Sequence, residues 1–394
     1  MKNARQLAFE TLLKIEQQNS YSNLSVAGVL KGDTLEGADK AFFTALVYGV
    51  IERKITLDYN LEKCLTQPIK RLQPEVLCIL RLGAFQLLFM DKIPQSAAIN
   101  ESVELAKKTK AKYASGLINA VLRKVATNKL QLPDETDENY LEVKYSCPKE
   151  LIDFWTEGYG KETTIKILEH ANGPQKIYAR HKTEGLKVLN DIKELTPDMH
   201  IQDKSSQICC EKLDPKPGET VFDMCAAPGG KSFTIAELQN DDGTVHAFDI
   251  YEQRVKLIRD GAERLNLKSI TAEVNDAEQF NPALGEADKV LCDVPCSGLG
   301  DIGRKPEIRY KKVKDIAKLI PLQYNILVNS TRYLKAGGTL VYSTCALNPQ
   351  ENEEQVERFL KENADFKLKE QRTIFPHEED CDGFFYAVLE KESV

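Results

Sequence analysis

The chain has 394 residues, of which 42% are apolar and 29% charged, a globular balance that excludes a disordered or fibrous chain and is enough for several ordinary cores. No run of about 18 apolar residues occurs, which excludes a bilayer-spanning helix, and the mixed charges of MKNARQLAFETLLKIEQ lack the apolar core of a signal peptide, so a cytoplasmic protein is expected. The net charge of −7 argues against a nucleic-acid partner only if it is spread evenly, and it is not.

Residues 1–128 carry 18 Lys and Arg against 12 Asp and Glu, whereas residues 129–394 carry 35 against 48. A basic first third on an acidic remainder is the asymmetry expected when one module holds a polyanion, although a solvated surface gives the same count. The same 128 residues read as helical. Apolar positions recur at helical spacing in Ala4, Leu7, Ala8, Leu12 and Ile15, then in Phe43, Leu46, Val47, Val50 and Ile51. They recur again in Leu77, Leu80, Ala84, Leu87 and Leu88, and in Ile118, Val121, Leu122 and Val125. Each stripe gives a helix one apolar face, so a small bundle is expected, with Pro74 and Pro94 marking breaks between helices.

Residues 129–215 read as a linker and a small pre-catalytic region: an acidic connection, helices over 151–159 and 163–171, then short segments without a complete core. From 216 to 394 the pattern becomes strand, turn and helix. Strands are predicted over 220–224, 244–250, 270–274, 289–293 and 339–344. Helices are predicted over 253–265 and 322–334, the latter closed by Gly337 and Gly338. This alternation predicts a parallel sheet covered by helices on both faces, with ligands bound beyond the carboxyl ends of its strands.

Four segments fall at those ends. Asp223-Met-Cys-Ala-Ala-Pro-Gly-Gly-Lys-Ser232 is a turn of small residues leading into a helix, where backbone can approach a ligand closely. It misses the phosphate-loop pattern by one residue, because Cys225 stands where the first glycine is required. Asp249 ends the second strand about 20 residues on and is placed for a ribose diol; helix capping is the bland alternative. Asp276 follows the third strand and could reach an adenine edge. Asp293-Val-Pro-Cys-Ser-Gly-Leu-Gly300 and Tyr342-Ser-Thr-Cys-Ala346 leave the fourth and fifth strands, which in a doubly wound sheet brings Cys296 and Cys345 to one crevice.

Paired thiols suit one reaction well. C5 of cytosine is a weak nucleophile, but a thiolate added at C6 gives it carbanion character, and later loss of the C5 proton expels the thiolate. Asp293 would hydrogen-bond the base edge or the cofactor amine. The ten cysteines contain no C-x-x-C pair and there are five histidines, so no metal site is expected, and most of the other cysteines should be buried thiols. Downstream, residues 303–314 hold six Lys and Arg, with Arg304, Lys305, Arg309, Lys311 and Lys312 as candidate RNA contacts around Tyr310.

DMCAAPGGKS, DVPCSGLG, YSTCALNPQENE and the closing DGFFYAVLEK together resemble the RNA 5-methylcytosine methyltransferases, most closely the Sun/Fmu (RsmB) branch that modifies small-subunit ribosomal RNA. The resemblance spans nearly the whole chain, and the N-terminal region looks like the NusB-type RNA-binding domain of that branch. It implies an α/β Rossmann-like S-adenosylmethionine-dependent methyltransferase preceded by an all-α NusB-like domain, acting on ribosomal RNA; a monomer is expected. It puts the cofactor loop on Cys225, Ala226, Ala227, Pro228, Gly229, Gly230 and Lys231. The ribose, adenine and fourth-motif acids fall on Asp249, Asp276 and Asp293. It makes Cys345 the nucleophile and Cys296 the thiol that assists product release, an assignment that residue type alone leaves open, because DNA cytosine methyltransferases attack with the Pro-Cys thiol. One departure is local: His181 and Lys182 replace an expected pair, and Tyr178-Ala-Arg-His181 lies only about twenty residues before Ile201-Gln-Asp203, so the pre-catalytic region looks shortened. Two rivals remain in view, a transfer-RNA cytosine methyltransferase and a nucleotide-dependent ribosome assembly factor.

Overall fold

The computed structural model describes residues 2–18, 22–32 and 35–393, which divide into two compact units. The first contains residues up to Phe154 together with Lys305–Tyr310; the second contains Trp155–Arg304 and Lys311–Val394.

The first unit is a helical bundle: α1 (Ala4–Gln18), α2 (Ser22–Leu30), α3 (Ala38–Glu52), α4 (Lys54–Glu62), α5 (Pro74–Phe89), α6 (Gln95–Lys107), α7 (Ser115–Asn128) and α8 (Tyr140–Tyr145). The stripes read from sequence form its core, with Ala8, Phe43, Leu46, Val47, Leu80, Ala84, Ile118 and Leu122 buried and Leu77, Leu87 and Leu88 half-buried at its margin. Pro74 opens α5 and Pro94 caps α6, positions where a missing N–H costs nothing. Arg81 is buried and forms a bidentate pair with Asp58 (2.7 and 2.8 Å), so the core holds one compensated charge.

The unit runs past residue 128, where composition suggests a break. The acidic connection is held by Asn60, which accepts from the Gln131 N–H and donates to its carbonyl, and Val143 and Tyr145 of α8 are buried. Polar side chains fix this backbone, so a count of apolar residues misses it.

The second unit begins within α9 (Lys149–Tyr159), followed by α10 (Lys161–Ala171). A three-stranded antiparallel sheet, not visible in the sequence pattern, comes next: β1 (Ile177–His181), β2 (Gly185–Leu189) and β3 (Met199–Ile201), in the order β2-β1-β3. Then come α11 (Lys204–Leu213), β4 (Thr220–Asp223), α12 (Gly230–Leu238), β5 (Thr244–Asp249), α13 (Glu252–Arg264), β6 (Ile270–Val274) and β7 (Ala287–Asp293). The chain closes with α14 (Val313–Ile316), α15 (Leu319–Thr331), β8 (Leu334–Thr344), α16 (Glu353–Glu362), β9 (Phe366–Ile374), α17 (Pro376–Glu379) and β10 (Phe384–Lys391).

Strands β4 to β10 form one sheet in the order β6-β5-β4-β7-β8-β10-β9, parallel from β6 to β8 and antiparallel at β10 and β9. The five predicted strands are its parallel part. One prediction is corrected: α15 ends at Thr331, and Gly337-Gly338 lies inside β8 rather than closing a helix. Gly337 has φ +74°, and the β7–β8 register shifts nearby, so this glycine serves a strand irregularity. The order turns at β4, with β5 on one side and β7 on the other, and the loops after these strands open on the same crevice.

Candidate active site

The loop after β4 is shaped by its backbone. The Ala226 N–H donates to the Phe248 carbonyl (2.7 Å), and Gly229 takes φ +113° to start α12. A Cβ on Gly229 would lie 2.4 Å from the Phe233 ring, so the position admits only glycine. Beneath the loop, Asp223 is fully buried; Ser232 Oγ donates to its Oδ2 (2.6 Å) and its Oδ1 has no partner. Burial, reinforced by the negative charge of Asp293, pushes its carboxyl up to about 7.

Lys231 points across the site to Asp293, Nζ to Oδ2 2.8 Å, and lies over the Phe384 ring. Burial opposes its charge, but the Asp293 carboxylate outweighs that, and the ammonium is held well above the ordinary lysine range. Asp293 also accepts from Ser343 Oγ (2.8 Å). Asp249, buried at the end of β5, accepts from the Tyr251 N–H (3.2 Å) and pairs with Arg254 (3.2 Å), whose other nitrogen donates to the Ala227 carbonyl. Arg254 thus joins the loop after β4 to the end of β5, a contact the sequence pattern gave no reason to expect. Asp276 is occupied locally, accepting from the Glu278 N–H (3.0 Å) and Gln279 Nε2 (2.9 Å). Its neighbour Asn275, whose buried Nδ2 has no partner, is a second donor available at the end of β6.

The loops after β7 and β8 bring the two thiols together: Cys296 Sγ and Cys345 Sγ are 3.0 Å apart, both unbonded and half-buried rather than sealed in the core. The Cys296 thiol is held well above its ordinary value by the hydrogen bond with Cys345, by burial, and by the negative potential of Cys345, Glu351 and Asp293. The backbones are locked in turn. The Val294 N–H donates to the Ser343 carbonyl, Gly300 N–H to the Cys345 carbonyl, and Gly383 N–H to the Gly300 carbonyl. A Cβ on Gly300 would sit 1.8 Å from the Gly383 carbonyl oxygen, so that crossing requires glycine. Cys209, Cys210 and Cys292 are buried with their thiols pushed up by desolvation, as expected of structural cysteines.

The basic segment departs from expectation. Arg309 is 1% exposed and donates to the Tyr145 and Ser146 carbonyls inside the helical unit, so it is a structural arginine and not a phosphate contact. Arg304 is committed to Asp382 (2.7 Å), Asp203 (3.1 Å) and the Lys176 carbonyl. Lys305 is half-buried in the segment that packs with the helical unit. Lys311 and Lys312 are exposed, although Lys311 Nζ also donates to the Ser297 carbonyl (2.9 Å). A basic stretch that sequence reasoning passed over joins α6 to α7, where Lys107, Lys108, Lys110 and Lys112 are exposed with Tyr113, itself 73% exposed; Arg123 and Lys124 are exposed farther along α7. Its signal was the run KKTKAKY, an aromatic within a lysine cluster.

A mostly parallel sheet with a small-residue loop after its first parallel strand, joined to a helical bundle, defines an S-adenosylmethionine-dependent methyltransferase with a NusB-type N-terminal domain. Residues 2–127 match the NusB family and residues 210–390 match the family described as 16S rRNA methyltransferase RsmB/F. The chain is 35% identical to "Probable ribosomal RNA small subunit methyltransferase B" of Bacillus subtilis, covering 98% of each chain. It is 33% identical to "Ribosomal RNA small subunit methyltransferase B" of Escherichia coli, covering 99% of each. Among solved structures it is similar to PH0851 (TM-score 0.81, 26% identity, 99% of both chains) and to a methyltransferase homolog protein from Pyrococcus horikoshii (TM-score 0.57, 28% identity, 65% of this chain and 99% of that one). The chain belongs to the ribosomal RNA small subunit methyltransferase B family. No helix among the described residues is long and apolar enough to cross a membrane.

Proposed function

We propose that this protein methylates C5 of a cytosine in small-subunit ribosomal RNA, with Cys345 as the attacking thiol and Cys296 as the thiol that assists release. The observation that carries the reading is the 3.0 Å approach of two half-buried thiols on adjacent strand-end loops, next to the Lys231–Asp293 pair. One thiol can bond the ring while the other serves the proton that must later leave.

The cofactor supplies an electrophilic methyl group. The residues present suit it: a small-residue loop from Cys225 through Ala226, Ala227, Pro228, Gly229 and Gly230 to Lys231, the Asp249 carboxylate at a strand end, and the orphaned Asn275 amide. Asp249 is assigned to the ribose and the stretch around Asp276 to the adenine, where Asn275 is the free donor. Cys345, once ionised, adds to C6, and the electron pair displaced toward C5 makes that carbon the nucleophile. Asp293, already oriented by Lys231 and Ser343, would hold the base edge. After the methyl is in place, the C5 proton departs to a base, the C6–S bond breaks, and the thiolate of Cys345 is restored. Such attack needs the face of the ring, so the target base must leave its stack.

The ribosomal RNA assignment follows the names of the full-length relatives, and the lysine stretch joining α6 to α7, with Lys311 and Lys312, offers the charge to hold it. The protein is assigned to the cytoplasm as a monomer. Bisulfite sequencing of ribosomal RNA from cells lacking the protein tests the reading. One protected cytosine is expected to lose protection, to regain it with the intact gene, and not with Cys345→Ala; full protection in the deletion strain would refute it.

A further inference from the structure

Glu351 is the most completely buried carboxylate near the thiols, with no exposed surface, and sequence reasoning gave it no role. Its Oε1 accepts from the Ser297 N–H and from Gln323 Nε2, both at 2.8 Å, and its Oε2 accepts from Asn348 Nδ2 at 2.9 Å. These donors belong to the two loops that matter. Ser297 directly follows Cys296, and Asn348 lies three residues after Cys345. Gln323 also donates to the Pro295 carbonyl (3.0 Å), so the peptide groups on either side of Cys296 are held by one Gln–Glu pair. On the β8 side, Tyr342 Oη donates to the Glu351 carbonyl (2.7 Å), and Asn352 accepts from Thr344 Oγ1 (2.6 Å) and donates to the Ala346 carbonyl.

We propose that Glu351 is a positioning residue for methyl transfer, clamping the Cys296 loop against the Cys345 loop so that the two sulfurs face one substrate base. A buried carboxylate is costly to desolvate, and three neutral donors offset that only while the loops stay together. A glutamine of the same shape would turn an NH2 group toward the donors that now meet an oxygen, so at least one contact opens. The charge has a second consequence. Cys296 faces Cys345, Glu351 and Asp293, the last paired with Lys231, and the negative potential of Glu351 helps keep Cys296 a thiol while Cys345 attacks.

The inference rests on the cytosine-C5 reading, and the test separates the two. Unchanged protein, Glu351→Gln and Gln323→Ala are compared on small-subunit ribosomal RNA with S-adenosylmethionine, with nucleoside mass spectrometry identifying the product. Absence of 5-methylcytosine with unchanged protein would sink the C5 reading itself, and with it the role of Glu351 in it. If 5-methylcytosine forms, Glu351→Gln is expected to lower kcat at least about tenfold with both KM values within about twofold, since misplaced reacting groups lose rate rather than binding. The pH midpoint for alkylation of Cys296 by iodoacetamide, read on its tryptic peptide, is expected to fall once the charge is gone. Equal kcat and an unmoved midpoint would overturn the proposal. If Glu351→Gln yields no folded protein, Gln323→Ala carries the kcat test, because it removes one clasp around Cys296 and leaves the carboxylate two donors.

Discussion

The thiol loops and the basic segment just downstream differ in what decides where their side chains go. Cys296 and Cys345 lie one residue or a few beyond adjacent parallel strands, so sheet topology alone delivers them to one crevice, and backbone hydrogen bonds through Gly300 and Gly383 finish the placement. Residues 304–312 have no such frame. Their charges look equivalent in sequence, yet Arg309 is buried on carbonyls, Arg304 is spent on Asp382 and Asp203, and Lys312 stands in solvent. Strand-end position therefore fixes where a side chain goes, whereas a run of like charge says little about which members stay in solvent. Arginine is the residue most apt to be recruited inward, because its planar fork can satisfy several carbonyls at once.

The largest effect should come from the topologically fixed side. Cys345→Ala is expected to lower methyl transfer by about 10⁴-fold or more, the scale of losing an attacking group, while S-adenosylmethionine binding measured by calorimetry stays within about twofold. Cys296→Ala should instead leave the first bond formed, and a protein–RNA adduct resistant to denaturant should build up on gels.

Asp223, under the loop after β4, should leave a signature in stability. Its native carboxyl is raised to about 7 from an ordinary value near 4, so between those values the folded protein binds more protons than the unfolded chain. Stability contributed by this group is therefore full below about pH 4 and falls as pH rises toward 7, by an amount on the order of a few kcal/mol. Urea titrations across that range should show the slope, and Asp223→Asn should flatten it.

Two smaller effects would sharpen the contrast between buried and solvated charge. Arg309→Ala leaves carbonyls of the helical unit without donors and should cost about 2 kcal/mol in urea unfolding, with RNA affinity at fixed salt nearly unchanged. Replacing Lys108, Lys110 and Lys112 together by Ala should do the reverse, leaving stability within about 0.5 kcal/mol while the salt dependence of RNA binding flattens by roughly two units of log–log slope. Equal behaviour of the two variants would erase the distinction.

Much of this was legible before the structure. Periodicity marked the bundle helices because each has one buried stripe, and the five parallel strands were marked by apolar runs ending in chemically loaded turns. β9, FKLKEQRTI, was not legible, because an edge strand with charged residues on its open face lacks clean alternation. β10 was hidden for the opposite reason: it is buried along most of its length, and a continuous apolar run has no period. At the site, the thiols, Asp249 and Asp293 followed from loop position, whereas the pairing of Lys231 with Asp293 did not. Nor did Glu351 and Arg254, since Glu351 acts on Ser297 and Arg254 on the Ala227 carbonyl, partners far away in sequence.

The central claim is a transient bond between Cys345 and C6 of a pyrimidine. RNA carrying 5-fluorocytidine at the target position tests it directly, because fluorine at C5 cannot leave as a proton and the adduct should persist. After incubation with S-adenosylmethionine and digestion by ribonuclease and trypsin, the methylated fluoronucleotide is expected on the peptide that contains Cys345. Its recovery on the Cys296 peptide, or ordinary methylation with no peptide adduct at all, would contradict the assignment.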